Sequence, residues 1–462
     1  MSAKRRSRKN PRRSRSLVEI LREFLTPALW KQVHQARRQT KKKESSRWMA
    51  QPLVLMLLLL TWSHGDSQAD RFECAKAYCQ VCLQKRRNPG KTVQGFQKAL
   101  ARLPLVVLRT LAAGVRAVLA RRLGDHWCVG GFIPMGCDGS RLECPRTTEL
   151  EERLGQAGKA KSAPTLWVTA LVHLRWGVPW AWRFGKGTAS EREHLIQMLR
   201  LLPQQALLVA DAGYFGFRLT EQLLRQHVMF LLRMSSNVTL YTAQQVRLEH
   251  YREGVVYYWP SQKDCQAGAG APLRLRLIRI RAKRRRNDVW LLTSVMDSKR
   301  LSPALAGRMY RWRWQNEGCF RTYKHTLKKV KLMSRTVRLV HREAEGSWLA
   351  LQLLLAQGVL AQTTRLAQRP ATPSECEQEV KCSPRKILIA IREEINSAPR
   401  RRRPKYEERL HQAQGERRQR TSAKASRVWP RRKPHKAPKP PKLRELSDVQ
   451  KSYLKRLRSH AA

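Results

Sequence analysis

The period of the hydrophobic positions changes near residue 126 and divides the chain. Before that point apolar residues recur at helical spacing: Leu17, Ile20, Leu21, Phe24 and Leu25 in one stretch, Leu53–Leu60 in a second, and Leu103–Leu119 in a third. The segment 49–125 therefore predicts a mainly helical region. Beyond it, short apolar runs bounded by turn residues take over. Val129–Cys137 predicts a strand ending at Asp138-Gly139-Ser140, followed by a loop through Pro145 to Ala163. Leu166–Leu174 and Trp180–Phe184 predict two strands joined at Gly177. Ser190 and Glu193 have the spacing of a capping box that opens a helix through Leu201. Leu207–Ala210 is a short buried strand ending at Asp211, and a helix over 218–226 and a strand over 229–232 follow.

That order, β-β-β-α-β-α-β, is the order of a ribonuclease-H-like α/β core, in which carboxylates gather at strand ends. Val255–Trp259 and Leu273–Arg281 interrupt it as a β-rich insertion, with Arg274 and Arg276 forming a basic face opposite Leu273, Leu275 and Leu277. Helices resume from Ser302 to Lys329 and from Trp348 to Leu360. The resulting organisation is a basic tail over 1–48, a helical region over 49–125 expected to bind DNA on the charge and resemblance given below, the first part of the core over 126–234 and the insertion over 235–289. The second part of the core covers 290–365, and a basic, largely disordered tail covers 366–462.

Charge narrows the function. The chain carries 93 Lys and Arg against 34 Asp and Glu, a formal net charge of +59. Residues 1–50 hold 16 basic and 3 acidic side chains, and residues 381–462 hold 26 and 7. An excess of 27 positive charges is left for the patterned centre, which points to a polyanion, nucleic acid first, as the partner of the folded part. The eight-residue run Leu53–Leu60 is far shorter than the roughly 20 residues a membrane span needs, so no membrane partner is expected. The N-terminal Lys4-Arg5-Arg6 leads into more charge, not an apolar core, so the ten cysteines are expected as reduced thiols in a cytoplasm. Cys74, Cys79 and Cys82 have a C-x4-C-x2-C spacing used in some iron–sulfur sites, but their segment reads equally as one face of a helix.

The segment Tyr310 to Lys324 carries the chemistry. Tyr310, Arg313, Glu317 and Lys324 fall within one stripe of a helix at about 100° per residue. A phenol, a guanidinium, a carboxylate and an ammonium on one face suit a phosphodiester: the carboxylate could hold a metal while the others contact phosphate. The spacing Y-(2)-R-(3)-E-(6)-K resembles the signature of the insertion-sequence-four group of DDE transposases. Asp138 in Cys-Asp-Gly-Ser and Asp211 in Val-Ala-Asp-Ala-Gly-Tyr-Phe-Gly resemble the first two acidic positions of that family. The β-rich stretch between Asp211 and Glu317 resembles the family's insertion.

The resemblance covers roughly 126–365 and implies a transposase that cuts and joins DNA at insertion-sequence ends. It implies Asp138, Asp211 and Glu317 as the catalytic residues and as ligands to Mg²⁺, with Mn²⁺ as a substitute. It also implies Tyr310, Arg313 and Lys324 as contacts to transposon-end DNA. Trp290, in Trp-Leu-Leu-Thr-Ser, is similar to a tryptophan that stacks on a flipped base in hairpin-forming relatives, and Arg146 with Thr147 resembles a DNA-proximal Pro-Arg-Thr element. The implied partners are double-stranded DNA at transposon ends and target, a second copy of the chain in the DNA complex, and a bacterial nucleoid reached through DNA. A catalytically inactive, transposase-derived DNA-binding protein is the alternative, and a basic RNA-binding protein a more distant one.

Overall fold

A computed structural model describes residues 14–40, 48–83, 89–155, 162–268, 270–281, 288–367, 382–397, 405–415 and 440–459. The chain divides into two compact units. One is helical and comprises Met1–Gly124, Cys144–Leu150 and Thr322–Glu416; the other is built on a sheet and comprises Asp125–Glu143, Glu151–Arg321 and Arg417–Ala462.

In the helical unit, α1 (Leu17–Phe24), α2 (Pro27–Arg38), α3 (Ala50–Trp62), α4 (Gln68–Cys82), α5 (Val93–Arg102) and α6 (Leu105–Leu123) come first. After α7 (Thr148–Leu154), the later helices of this unit are α13 (Val337–Ala367), α14 (Pro384–Asn396) and α15 (Tyr406–Gln412). The apolar run at 53–60 is explained by α3, which packs against α4, α5 and α13 and so buries side chains all round its axis. Among the described residues no single helix is long and apolar enough to cross a membrane. Cys74, Cys79 and Cys82 lie on α4, where Cys79 is buried, and among the described residues no group of three or more His, Cys, Asp or Glu is placed to hold a metal ion.

Two expectations about the tails change. Residues 17–38 form α1 and α2: a Ser16/Glu19 capping box starts α1, and Leu17, Ile20, Leu21 and Phe24 are buried. The helical spacing read at Leu17–Leu25 is thus a helix, set within a segment expected as a basic tail. At the other end α14 and α15 are folded in this unit, with Ile387, Leu388 and Ile391 buried. The Arg400–Arg403 run and Pro438 lie outside the described residues. The long α13, expected as part of the α/β core, belongs instead to the helical unit.

The sheet unit contains β1 (Ile133–Glu143), β2 (Thr165–His173), β3 (Val178–Lys186), α8 (Glu191–Met198), β4 (Ala206–Ala210), α9 (Phe217–Arg225) and β5 (Met229–Arg233). Then come β6 (Thr239–Thr242), β7 (Glu253–Tyr258), α10 (Gln262–Gln266), β8 (Leu273–Ile280), β9 (Val289–Thr293), α11 (Pro303–Trp312), α12 (Trp314–Arg321), β10 (Lys442–Glu445) and α16 (Asp448–Ser459). Among the described residues ten strands form one sheet, ordered β10-β6-β7-β8-β9-β5-β4-β1-β2-β3. β1, β2 and β3 are an antiparallel meander turning at Gly177, whose φ of 65° favours glycine, and β1, β4 and β5 are parallel. The strands of the expected insertion extend this same sheet through β8, β9 and β5, and the C-terminal β10 adds to its far edge beside β6. On the central strands α11 buries Ala306, Met309 and Trp312 against Leu207, Val209, Leu231, Ile278 and Leu291.

The basic face expected on β8 is only half present. Arg274 is exposed, but Arg276 is 3% exposed. Its guanidinium donates to the carbonyls of Val295, Asp297 and Leu301 and, at 2.6 Å, to Glu253 Oε2. Arg276 thus pins the turn that leads into α11, a use of arginine that strand alternation cannot reveal. Arg276→Ala, which strips four acceptors of their donor, is expected to cost about 2–4 kcal/mol in urea unfolding. Arg276→Lys should recover little, because an ammonium cannot span the same fork; a stable lysine variant would overturn this assignment.

Candidate active site

One register places Asp138 and Asp211. The last pair of the parallel β1–β4 ladder is Gly136 opposite Val209, and each aspartate stands two residues beyond its strand's member of that pair. Side chains alternate along extended backbone, and Asp211 is still extended, so both carboxylates rise from one face of neighbouring strands about 4.8 Å apart. This is the carboxyl end of parallel strands, where α/β sheets present ligand sites. Asp138 does not end its strand as expected. β1 runs on to Glu143 because β2 continues to pair with it, from Gly139↔Thr169 to Glu143↔Thr165. Asp138 is a strand end only on the side facing β4.

The Asp138 carboxyl accepts the Gly139 N–H at 2.9 Å. Burial pushes its pKa up to about 6; the negative charges of Glu191 and Asp211 add to the rise, while the Gly139 bond and Arg313 oppose it. Asp211 caps a short 3₁₀ turn, Ala212–Tyr214, by accepting from Gly213 N at 2.9 Å. Glu191, the first residue of α8, is also raised, by burial first and then by Asp211. The sequence reading missed Glu191, because an acidic residue in a first helical turn ordinarily complements the helix dipole and draws no notice.

Tyr310, Arg313 and Glu317 are brought together where α11 passes into α12. The turn tightens there, with Arg313 N bonded to Tyr310 O at 3.1 Å and Asn316 N to Arg313 O at 3.0 Å. The Arg313 guanidinium lies 5.9 Å from the Tyr310 ring and 5.4 Å from the Trp314 ring, and 3.6 Å from Glu317 Oε1. Tyr310 Oη and Arg313 Nε are buried without a hydrogen-bond partner, as are both amide atoms of Asn316, which packs against Gly136. Unsatisfied buried donors are rare in proteins, and an incoming anion would satisfy the first two. Trp314, also missed in the sequence, leaves 64% of its surface exposed beside them.

Lys324 and Arg146 belong to the helical unit. Lys324 lies in a π-helical turn, Thr322–Thr326, where burial lowers its ammonium pKa, and Arg146 is exposed next to Thr147, which donates to Arg335 O at 3.1 Å. Trp290 is 7% exposed, held 5.7 Å from the Tyr251 ring under the Arg279 guanidinium, so its ring is a core surface in this form of the protein.

The donor set fits a hard divalent cation in its chemistry: carboxylate oxygens are crowded at one strand end, and Arg313 is the cation that eases Asp138. Their coordination is not preset, since among the described residues no three or more His, Cys, Asp or Glu side chains are grouped to hold a metal ion.

Comparison with known proteins bears on the same stretch. Residues 137–353, which enclose Asp138, Asp211 and Glu317, match the family model described as a transposase DDE domain. The chain is 26% identical over 254 residues to the transposase InsG for insertion sequence element IS4 of Escherichia coli (strain K12), a match covering 50% of this chain and 53% of that relative. It therefore spans about half the length of the curated relative it matches. A solved structure, the cryo-EM structure of the piggyBac transposase synaptic complex with hairpin DNA, aligns over 82% of this chain and 80% of that one with a TM-score of 0.40 and 11% identity. The family match and the InsG relative together support a DDE transposase of the insertion-sequence-four type.

Proposed function

We propose that this protein cuts DNA at the ends of an insertion sequence and joins those ends to new DNA by phosphoryl transfer, with Asp138, Asp211 and Glu317 as its catalytic carboxylates. The observation that carries the reading is the common register of Asp138 and Asp211, which sets two carboxylates side by side at one strand end. The strand order β3-β2-β1-β4-β5, with α8 and α9 as crossovers, supports a ribonuclease-H-like core, and β6–β8 then form the insertion between the second aspartate and the glutamate.

Divalent cations held by Asp138, Asp211 and Glu317, Mg²⁺ with Mn²⁺ as a substitute, would activate the attacking oxygen and neutralise the leaving one. The chain's own residues do the rest. Arg313 and Tyr310 present unpartnered polar atoms to the phosphate being attacked. Water attacks the phosphodiester at the element's end, its proton leaves to solvent, and the 3′ oxygen departs as a free hydroxyl. That hydroxyl then attacks a target phosphodiester and expels the target's own 3′ oxygen. Trp314, exposed one residue beyond Arg313, offers a ring face to a neighbouring base. Lys324, Arg146 and many of the 93 basic residues would position the DNA backbone, and Trp290 would reach a base only if its enclosure opens. Two copies of the chain would hold the two ends.

The test is cleavage of an end of the element flanking the gene by the purified protein with Mg²⁺ or Mn²⁺. Nicking that exposes a 3′-OH and stops on chelation is the expected result. Binding of that end without cleavage under any divalent ion would sink the enzyme and leave the catalytically inactive DNA-binding protein.

A further inference from the structure

We propose that the cavity between the turn after Asp211 and the strands β6 and β7 binds an unpaired nucleotide of single-stranded DNA. The inference rests on the reading given above for its partner, DNA, and adds a binding site apart from the catalytic carboxylates and from Trp290.

The cavity measures about 580 Å³ and is lined by Arg192, Phe215, Asn237, Tyr241, Tyr258 and Trp259 among others. Sites that enclose a small molecule span roughly 300–1,000 Å³, so the space suits a nucleotide and is too small for a duplex. Ala212 also lines it, so the cavity begins one residue from Asp211.

Its walls are aromatic. Tyr258, the last residue of β7, has its ring 4.7 Å from that of Phe215 and 5.3 Å from that of Phe217. Trp259 follows, 6.0 Å from the Tyr241 ring and 6.0 Å from the Tyr453 ring. Rings that served packing alone would be buried, as Phe217 and Tyr257 are. Tyr241, Tyr258 and Trp259 are instead half-buried around an open space. A ring already held by its neighbours loses little freedom when a base stacks on it.

Polar groups beside these rings match the rest of a nucleotide. Arg192 is exposed, and its Nε donates to Gly213 O at 2.8 Å, which sets the guanidinium over Gly216 at the cavity wall as a cation for phosphate. Exposed Asn237 carries both a donor and an acceptor for a base edge. None of the described residues lining the cavity is acidic, so the charge they present is positive.

One wall is held from outside the stretch that matches the family model. β10 pairs in parallel with β6, and Tyr453 of the following α16 meets Trp259. The C-terminal strand and helix, in a segment expected as a disordered tail, thus support the cavity.

The test follows fluorescence anisotropy of a labelled strand of about ten thymidines, and of a duplex of equal length, on the full chain across a salt series. High salt weakens phosphate contacts and leaves stacking. Trp259→Leu and Tyr258→Leu are each expected to lower single-strand affinity about tenfold or more and to leave duplex affinity within about twofold. Trp259→Phe, which keeps a ring, should retain most of the affinity, and Tyr453→Ala should weaken single-strand binding by freeing Trp259. Arg192→Gln should shallow the single-strand salt dependence by about one contact. Thermal melting checks that each variant is folded. Wild-type single-strand affinity in both leucine variants, or an equal loss for single strand and duplex, would overturn the inference. If the wild type cleaves DNA with a divalent ion yet the leucine variants bind single strands unchanged, this inference falls alone. If the wild type cleaves under no condition, the catalytic reading falls and the single-strand comparison still decides the cavity.

Discussion

Asp138→Ala, Asp211→Ala and Glu317→Ala should each lower the rate of metal-dependent strand cleavage by about a thousandfold or more while leaving DNA affinity within a few-fold of wild type. The size follows from what a carboxylate does at such a site. Transition-state charge on the attacking and leaving oxygens is neutralised through the cation it holds, and losing about 4 kcal/mol of that stabilisation lowers the rate about a thousandfold. Binding is carried elsewhere. With 93 basic residues on the chain, affinity is a sum over many phosphate contacts, and removing one negative charge can only raise it slightly. Arg313→Ala should behave differently from the three carboxylates. Its guanidinium stands 3.6 Å from Glu317 and its Nε lacks a partner, so its loss should reduce cleavage and also shallow the salt dependence of binding by about one phosphate contact. The measurement is single-turnover cleavage beside a salt titration of binding. Wild-type cleavage in any one of the three carboxylate variants would remove that residue from the catalytic set.

How much of this was legible in the sequence depends on the kind of signal each element carries. The core strands and crossovers were readable because their patterns are local: alternating or continuous apolar runs for β2, β4 and β5, and Ser190 as an N-cap for α8. β6, β10 and α7 were not, because strands of four residues and a helix of seven have too few positions to show a period. The tails were misjudged for another reason. The helical period of Leu17, Ile20, Leu21 and Phe24 was legible and seats α1, but the positive charge around it made the segment read as a tail. At the site, Asp138, Asp211, Tyr310, Arg313 and Glu317 could be named from their spacing and context. Glu191 could not, since it meets Gly139 across a separation of more than fifty residues. Arg276 was misread for the same reason: its partners at Val295, Asp297 and Leu301 are tertiary.

Asp138→Asn should make the metal-free protein more stable near pH 7.5, by about 2–3 kcal/mol, although it removes catalysis. The Asp138 carboxyl is raised by burial and by Glu191 and Asp211 to about 6, against 3.8 for the free side chain. The sign follows from proton counting. Between about pH 4 and pH 6 the folded protein holds a proton on Asp138 that the unfolded chain has already lost, so stability declines as pH rises through that window and is level above it. A rise from 3.8 to about 6 corresponds to about 3 kcal/mol at neutral pH, the cost of keeping a carboxylate ionised that is first buried and then set near other acidic groups. Asparagine keeps the acceptor for the Gly139 N–H and carries no charge, so it escapes the cost. Near pH 4.5, where Asp138 is mostly protonated, the two proteins should be much closer in stability. Adding Mg²⁺ or Mn²⁺ should then invert the order at pH 7.5, because a cation that binds only the folded carboxylates stabilises wild type and leaves Asp138→Asn nearly unchanged. Urea unfolding of both proteins at pH 4.5 and 7.5, in chelator and in millimolar divalent ion, measures all of these differences. If the asparagine variant proves less stable than wild type in chelator at pH 7.5, the crowding of negative charge at this strand end is not the strain described here, and the case for a cation at the site loses its electrostatic basis.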